Sequence, residues 1–308
     1  MAVSKYAIGV DIGGTKTSVS LWTTAGELLA KSLFKTEGGS AEVLDAIAAA
    51  AAGLLEGARV PKSSVLGLGI SCGGPLDSAR GLILGPPNLP GWDSVPVVAL
   101  LEERTGLPCR LENDANACAL AEWYWGAGRG CDNMVFLTFG TGLGAGLILD
   151  GRLYRGVQDL AGEVGHVRVA EEGPLGYGKR GSWEGLCSGG GIARLYEEET
   201  GRRSTTKEIC EEARAGLPEA MKVIERSAFY LGRGAAMLID ILNPERIVIG
   251  SVFARSEELF RPVMEAVIAQ EALAPSASRC SILPAQLGEE LGDRAALGVI
   301  MNTKEMKT

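Results

Sequence analysis

Two stretches of the chain, residues 6–22 and 134–149, repeat one pattern: an apolar run, a turn built of glycine and threonine, and a second apolar run. In the first, Tyr6 to Asp11 and Thr17 to Trp22 flank Gly13-Gly14. In the second, Met134 to Phe139 and Leu143 to Leu149 flank Gly140-Thr141-Gly142. Apolar runs of this length bounded by glycine read as strands. A repeated strand–turn–strand unit among helical segments predicts an internal duplication, and hence two α/β lobes with a central cleft between them. The length of 308 residues, about two domains' worth, agrees.

Between and after these units the pattern is largely helical. Ala41 to Gly57, Pro96 to Thr105, Asp114 to Trp125, Ser188 to Thr200, Thr206 to Ala215 and Pro218 to Leu242 carry apolar residues at helical spacing. Val65 to Ile70 and Arg246 to Ile249 are short buried-type strands. The lobe boundary is expected near Leu111. That gives a first lobe of 1–111 plus about 291–308, to which a last helix around Asp293 to Met301 returns, and a second lobe of 112–290.

Composition narrows the partners. Lys and Arg total 30 against 38 Asp and Glu, a net charge of −8. A nucleic-acid binder needs the opposite balance, so no such partner is expected. No run of about 18 uncharged apolar residues exists to span a membrane, and MAVSKYAIGVDIGG lacks the pattern of a signal peptide. The seven cysteines are scattered without a C-x-x-C pair. That argues for a reducing cytoplasm, without a disulfide framework or cysteine-rich zinc site.

The 43 glycines, about twice ordinary usage, cluster where chemistry is expected. A glycine turn aims consecutive backbone N–H groups into one concavity, which suits phosphate oxygens. Asp11 to Lys16 adds a carboxylate, a hydroxyl and an ammonium, a set able to hold nucleotide phosphates and a hydrated magnesium ion. One such turn is equally well a plain hairpin; two favour a nucleotide. Asp114 fits either a helix cap or the base that takes a hydroxyl proton in phosphoryl transfer. His166, the single histidine, is either a structural hydrogen-bonding residue or a ligand contact. Glu184, beside Trp183, reads on spacing as a simple surface residue.

Five motifs occur together and in order: Asp11-Ile-Gly-Gly-Thr-Lys16, Asn88-Leu-Pro-Gly-Trp92, Glu112-Asn-Asp-Ala-Asn-Ala117, Thr138-Phe-Gly-Thr-Gly-Leu-Gly-Ala-Gly146 and Gly162-Glu-Val-Gly-His166. On these motifs the chain resembles the ROK family (repressors, open reading frames and sugar kinases), and within it the glucokinase-like sugar kinases. The resemblance implies an α/β, actin-like ATPase (sugar kinase/Hsp70) fold, a homodimer, and ATP with magnesium as the donor pair. It implies Asp114 as catalytic base, with Gly74, Asn88, Asn113, Glu163, His166 and Glu184 around the sugar. Gly13, Gly14, Thr15, Lys16, Thr138, Gly140, Thr141 and Gly250 would handle ATP, and Asp11 the magnesium through water.

The implied reaction is transfer of the γ-phosphoryl group to the terminal hydroxyl of a hexose, glucose first, giving glucose 6-phosphate. N-acetylmannosamine or another N-acetylhexosamine is the second expectation and fructose the third. A non-catalytic sugar sensor competes. The family's repressors carry a helix-turn-helix ahead of the kinase-like part, for which a phosphate turn beginning at Asp11 leaves no room. Three departures from the family pattern stand out. Leu175, Tyr177 and Ser182 replace the three cysteines of the zinc motif C-x-C-G-x-x-G-C-x-E, so no zinc is expected. Ser251 stands in a turn that is usually glycine-rich, and Gly73 stands where proline is usual.

Overall fold

The computed structural model describes residues 5–302. Residues 1–4 of the stretch searched for a leader, and residues 303–308 of the expected first lobe, lie outside the described residues. The chain packs as two units. One runs to Trp125 and takes in Gly156–Asp159 and the chain from Glu289 onward; the other comprises Gly126–Arg155 and Leu160–Gly288.

In the first unit, β1 (Tyr6–Ile12), β2 (Lys16–Thr23) and β3 (Leu28–Lys35) form an antiparallel meander. Helix α1 (Ser40–Gly57) follows, then β4 (Val65–Cys72), a small hairpin of β5 (Leu76–Asp77) and β6 (Leu82–Ile83), α2 (Val97–Thr105), β7 (Cys109–Asn113) and α3 (Asp114–Trp125). β4 pairs parallel with β1 and with β7, giving the order β3-β2-β1-β4-β7. Strands β1 and β4 are covered on both faces, which is why they read as continuous apolar runs rather than alternating ones. Helix α1 buries Val43, Leu44, Ile47 and Ala51, one stripe at helical spacing.

The second unit begins with β8 (Met134–Phe139), β9 (Leu143–Leu149) and β10 (Arg152–Tyr154). It continues through a hairpin of β11 (Leu175–Gly176) and β12 (Lys179–Arg180) to α4 (Trp183–Leu186), α5 (Gly189–Thr200), α6 (Thr206–Arg214) and α7 (Pro218–Leu242). β13 (Arg246–Ile249), α8 (Val252–Glu271), α9 (Ala274–Ala277) and β14 (Ser281–Pro284) complete it. Its sheet runs β10-β9-β8-β13-β14, two antiparallel pairs followed by two parallel ones. Strand for strand this is the order of the first sheet, so the duplication expected from the two glycine turns is present in the topology.

Helix α10 (Leu291–Met301) returns to the first unit and packs on β1, β4 and α3. It comes close because the strands carry glycine beneath it. A Cβ on Gly69 would lie 2.0 Å from the Ala296 carbonyl oxygen, and one on Gly9 would lie 3.2 Å from that of Asp293. The division after Trp125 corrects the boundary expected near Leu111. β7 is hydrogen-bonded to β4 from Leu68↔Cys109 to Cys72↔Asn113. Gly298 of α10 faces Leu120 of α3, where a Cβ would meet the Leu120 Cβ at 3.1 Å. Both interactions tie residues 109–125 to the first core.

Gly69→Ala is expected to destabilise the protein by roughly 3 kcal/mol or more, because backbone cannot move aside as a side chain can. Gly53→Ala, inside α1 with nothing within 4 Å of its Cβ, is expected to stabilise by about 0.5–1 kcal/mol. Urea unfolding of the two variants checks both signs.

Candidate functional site

In the first unit the predicted residues converge on one pair of glycines. Gly73 and Gly74 follow β4. A Cβ on Gly73 would lie 3.7 Å from both side-chain amide atoms of Asn88 and 3.9 Å from Asp114 Oδ2. A Cβ on Gly74 would lie 3.3 Å from Asn113 Nδ2. Asn88 is carried by a loop pinned through buried Leu89 and Trp92, with Gly85 N–H donating to the Trp92 carbonyl at 3.0 Å. Asn113 and Asp114 open α3: the Ala115 N–H is shared between Asn113 Oδ1 at 2.9 Å and Asp114 Oδ1 at 2.8 Å. The cap and the chemical reading of Asp114 are therefore compatible. One oxygen holds the helix start while Oδ2 faces Gly73.

The first glycine turn abuts this cluster. Gly13 N–H donates to the Lys16 carbonyl at 3.1 Å, closing the turn, and the Thr36 hydroxyl donates to the Gly13 carbonyl at 2.7 Å. Gly14 presses on the Asn88 loop so closely that a Cβ would stand 2.4 Å from the Asn88 carbonyl oxygen. Gly14 is thus required for close approach rather than for an unusual backbone angle. Thr15 and Lys16 are exposed at the turn tip.

Asp11, at the end of β1, sits in an acidic neighbourhood that the sequence did not reveal. Burial, with Asp114 and Asp293 adding to it, lifts its pKa from the ordinary carboxylate range to about 7, against the smaller opposing pull of Lys16 and Lys31. Asp293, in the first turn of α10, accepts from Ser18 Oγ at 2.9 Å and pairs with Lys31 Nζ at 2.6 Å. The Asp114 carboxyl is also pushed up by loss of water, partly offset by its backbone N–H bonds, though it keeps accessible surface. Ser18, Lys31 and Asp293 carry no local motif. Only the return of α10 brings Asp293 to the first sheet.

In the second unit, Gly140, Thr141 and Gly142 link β8 to β9. The first N–H groups of α5 are spent on this turn: Gly189 donates to the Gly140 carbonyl at 2.7 Å and Gly190 to that of Thr141 at 3.1 Å. A Cβ on Gly140 would lie 3.6 Å from Ser251 Oγ and 3.8 Å from Thr138 Oγ1, so those hydroxyls flank the turn. Gly250 packs on Phe136, and Ser251 adopts φ +53° and ψ −111°, a conformation ordinarily left to glycine. Glu184, expected at the sugar, accepts the Leu143 N–H at 3.1 Å and so reaches the phosphate-type turn. His166 ends a short 3-10 turn that Glu163 leads into, and its Nδ1 lies 3.0 Å from Lys179 Nζ. Both Glu163 and His166 are exposed.

Magnesium, which is expected, and zinc, which is not, fare differently against these residues. Around Asp11 the acidic crowding is only partly neutralised, which suits a divalent cation. Magnesium takes one or two carboxylates together with phosphates and water. The segment 166–184 does not fit zinc. Leu175, Tyr177 and Ser182 offer no thiolate, Ser182 instead caps α4 by accepting the Gly185 N–H at 3.1 Å, and an ammonium occupies His166 Nδ1. Among the described residues no group of three or more His, Cys, Asp or Glu side chains could hold a metal ion.

A carboxyl whose folded-state pKa is raised contributes stability fully present below the unfolded value and lost as pH rises to the folded one. For Asp11 that window runs from about 4 to about 7. In metal- and nucleotide-free protein, Asp11→Asn should therefore gain stability relative to wild type between pH 5 and pH 8. After allowance for residual solvent screening the gain is on the order of 1–2 kcal/mol. Urea unfolding at the two pH values reads it, and parallel behaviour would show that Asp11 is not strained.

Comparison with known proteins follows the same lines. The family model described as "ROK family" matches residues 7–303. A glucokinase of Halalkalibacterium halodurans is 36% identical over 280 residues, covering 85% of this chain and 84% of that protein. The crystal structure of a ROK hexokinase from Thermus thermophilus superposes with a TM-score of 0.85 at 34% identity, covering 97% of this chain and 99% of the other. A ROK glucokinase from Streptomyces griseus, solved with glucose and AMPPNP, gives 0.76 at 33% identity, covering 94% and 97%. These likenesses bear out the actin-like ATPase fold. Together with the motifs and the duplicated sheets, they establish that the chain belongs to the ROK family.

Proposed function

We propose that this protein is an ATP-dependent, glucokinase-like hexose kinase that transfers the γ-phosphoryl group to the terminal hydroxyl of glucose. The observation that carries the reading is the packing of Gly14 on Asn88. It sets a phosphate-type turn against the loop whose amide would bind a sugar hydroxyl, one residue removed from Asp114 Oδ2 across Gly73. The relatives named above, a glucokinase and a hexokinase among them, support the same class of reaction.

In this reading Asn88 and Asn113 hold sugar hydroxyls, and Gly74 leaves space for the Asn113 amide. Asp114 accepts the proton of the attacking hydroxyl at Oδ2. Loss of water around Asp114 raises its basicity, which a general base working near neutral pH needs. Backbone N–H groups of the two glycine turns and Lys16 hold phosphate oxygens, with Thr138, Thr141 and Gly250 serving the nucleotide. Asp11 would hold hydrated magnesium, which when bound offsets phosphate charge. Glu163, His166 and Glu184 complete the sugar contacts. Exclusion of water matters because water competes with the sugar for the phosphoryl group.

We also propose that the protein acts in the cytoplasm as a homodimer. Met221, Phe229, Met237 and Ile241 of α7 are exposed apolar side chains, Ile241 at 76%, and a second copy would cover them. Light scattering reads the mass.

Magnesium-dependent ADP release against glucose, mannose, fructose, glucosamine and the N-acetylhexosamines tests the activity and its substrate together. Asp114→Asn is expected to bind glucose within a few-fold of wild type and to lose roughly 10²–10⁴-fold in turnover. Wild-type turnover in that variant would overturn the mechanism. Sugar-dependent stabilisation without ADP release from any sugar would instead identify a sensor.

A further inference from the structure

The β11–β12 hairpin pairs Leu175 with Arg180 and Gly176 with Lys179, so Tyr177 and Gly178 form a two-residue turn. Both turn residues have positive φ, +51° at Tyr177 and +70° at Gly178, as tight hairpins of this twist require. Glycine takes that conformation freely. A tyrosine does so only where the surroundings over-determine it, and such outliers concentrate where a side chain must be aimed.

The surroundings do over-determine it. A Cβ on Gly176 would strike Ser182 Oγ at 2.5 Å, and one on Gly181 would strike the Ala170 carbonyl oxygen at 1.9 Å. On the facing side, Gly165 is pressed to within 2.1 Å of the Leu143 carbonyl oxygen by the same measure, and to 3.2 Å of Tyr177 Cε2. The backbones bearing Lys179 and His166 are therefore both fixed against their neighbours. Between them, Lys179 Nζ and His166 Nδ1 are 3.0 Å apart, and the Tyr177 ring lies 5.4 Å from the imidazole, tilted by 60°.

The chemistry of the pair admits one arrangement of protons. An ammonium has three donors and no acceptor, so Nδ1 must be the acceptor, and the imidazole proton must sit on Nε2. We propose that Lys179 is a positioning residue that locks His166 as the neutral Nε2–H form and presents that N–H as a donor to a sugar hydroxyl oxygen. The inference rests on the sugar-kinase reading for the identity of the acceptor. It does not rest on that reading for the Lys179–His166 bond itself. The ammonium also occupies the ring nitrogen that a metal ion would need, in a segment whose side chains offer no thiolate. A cation still fixes the imidazole, supplied by the chain itself.

His166 is the only histidine of the sequence, so long-range ¹H–¹⁵N correlation on tag-free, ¹⁵N-labelled protein reads one imidazole. The pH should be about 8, where imidazoles are ordinarily neutral. Without sugar, the wild type should show a single Nε2–H tautomer with Nδ1 shifted as a hydrogen-bond acceptor. Lys179→Met should return the ring to a mixture with unbonded Nδ1, and Lys179→Arg should restore the wild-type pattern. Identical spectra from the wild type and Lys179→Met would overturn the proposal, as would stoichiometric zinc in the purified wild type.

Glucose added to the wild type should then shift Nε2, and Lys179→Met should raise the sugar KM roughly ten-fold, more than it lowers kcat. A methionine effect on kcat alone would overturn the positioning role. An Nε2 signal indifferent to every sugar on the panel, with the Lys179 bond present, would instead remove the sugar contact at His166.

Discussion

The first unit depends on backbone meeting backbone where α10 crosses β1 and β4. Gly69 lies under Ala296 at a separation that leaves no room for a side chain, and Gly9 lies under Asp293 with little to spare. Dispersion and burial over such a contact are large because nothing intervenes. The contact also has a chemical consequence, since it sets the first turn of α10 beside the end of β1. Asp293 then stands near enough to Asp11 to raise its pKa, while Ser18 and Lys31 keep Asp293 itself bonded. Through Gly298 the same helix seats α3, whose first residue is Asp114. One packing decision thereby sets both carboxyls.

Much of the fold was legible because the decisive signals are local. The glycine turns at 13–14 and 140–142, the long apolar stripe of α7 and the Asn113-Asp114 entry to α3 all rest on short-range physics. The lobe boundary was not legible. Cys109 to Leu111 reads as a brief strand at an apparent divide, and nothing local says that it pairs with Leu68 to Ile70. The hairpin strands β5, β6, β11 and β12, each two residues long, fall below what periodicity can register.

The candidate site divides in the same way. Asn88, Asn113 and Asp114 lie in the motifs, and in the first unit they converge beside Gly74. The missing thiols at 175, 177 and 182 were legible as letters, but the hydrogen bonds made around them were not. Ser182 became a helix cap, and Lys179 found the histidine through a turn whose register depends on Tyr177 accepting an unfavourable φ. Glu184 shows a subtler gap: the family resemblance pointed to the sugar, and the bond that one of its oxygens accepts from the Leu143 N–H had no signal in the sequence. Glycines that permit close approach, such as Gly14 against Asn88, look in a sequence like glycines that permit a turn. Only the partner distinguishes them.

The discontinuity of the first unit has a bearing on how the chain comes to be folded at all. During synthesis β1 to β4 emerge with glycine-lined tracks at Gly9 and Gly69 that no nearby segment covers, and they stay uncovered until the whole second unit has been made. That second unit is nearly continuous in sequence, interrupted only by Gly156–Asp159. Completion of the first unit therefore waits for the last helix, unlike a first domain that is contiguous in sequence. Folding of the first unit is thereby bound to the whole length of the chain: its opening sheet gains its last cover only from residues made after the second unit.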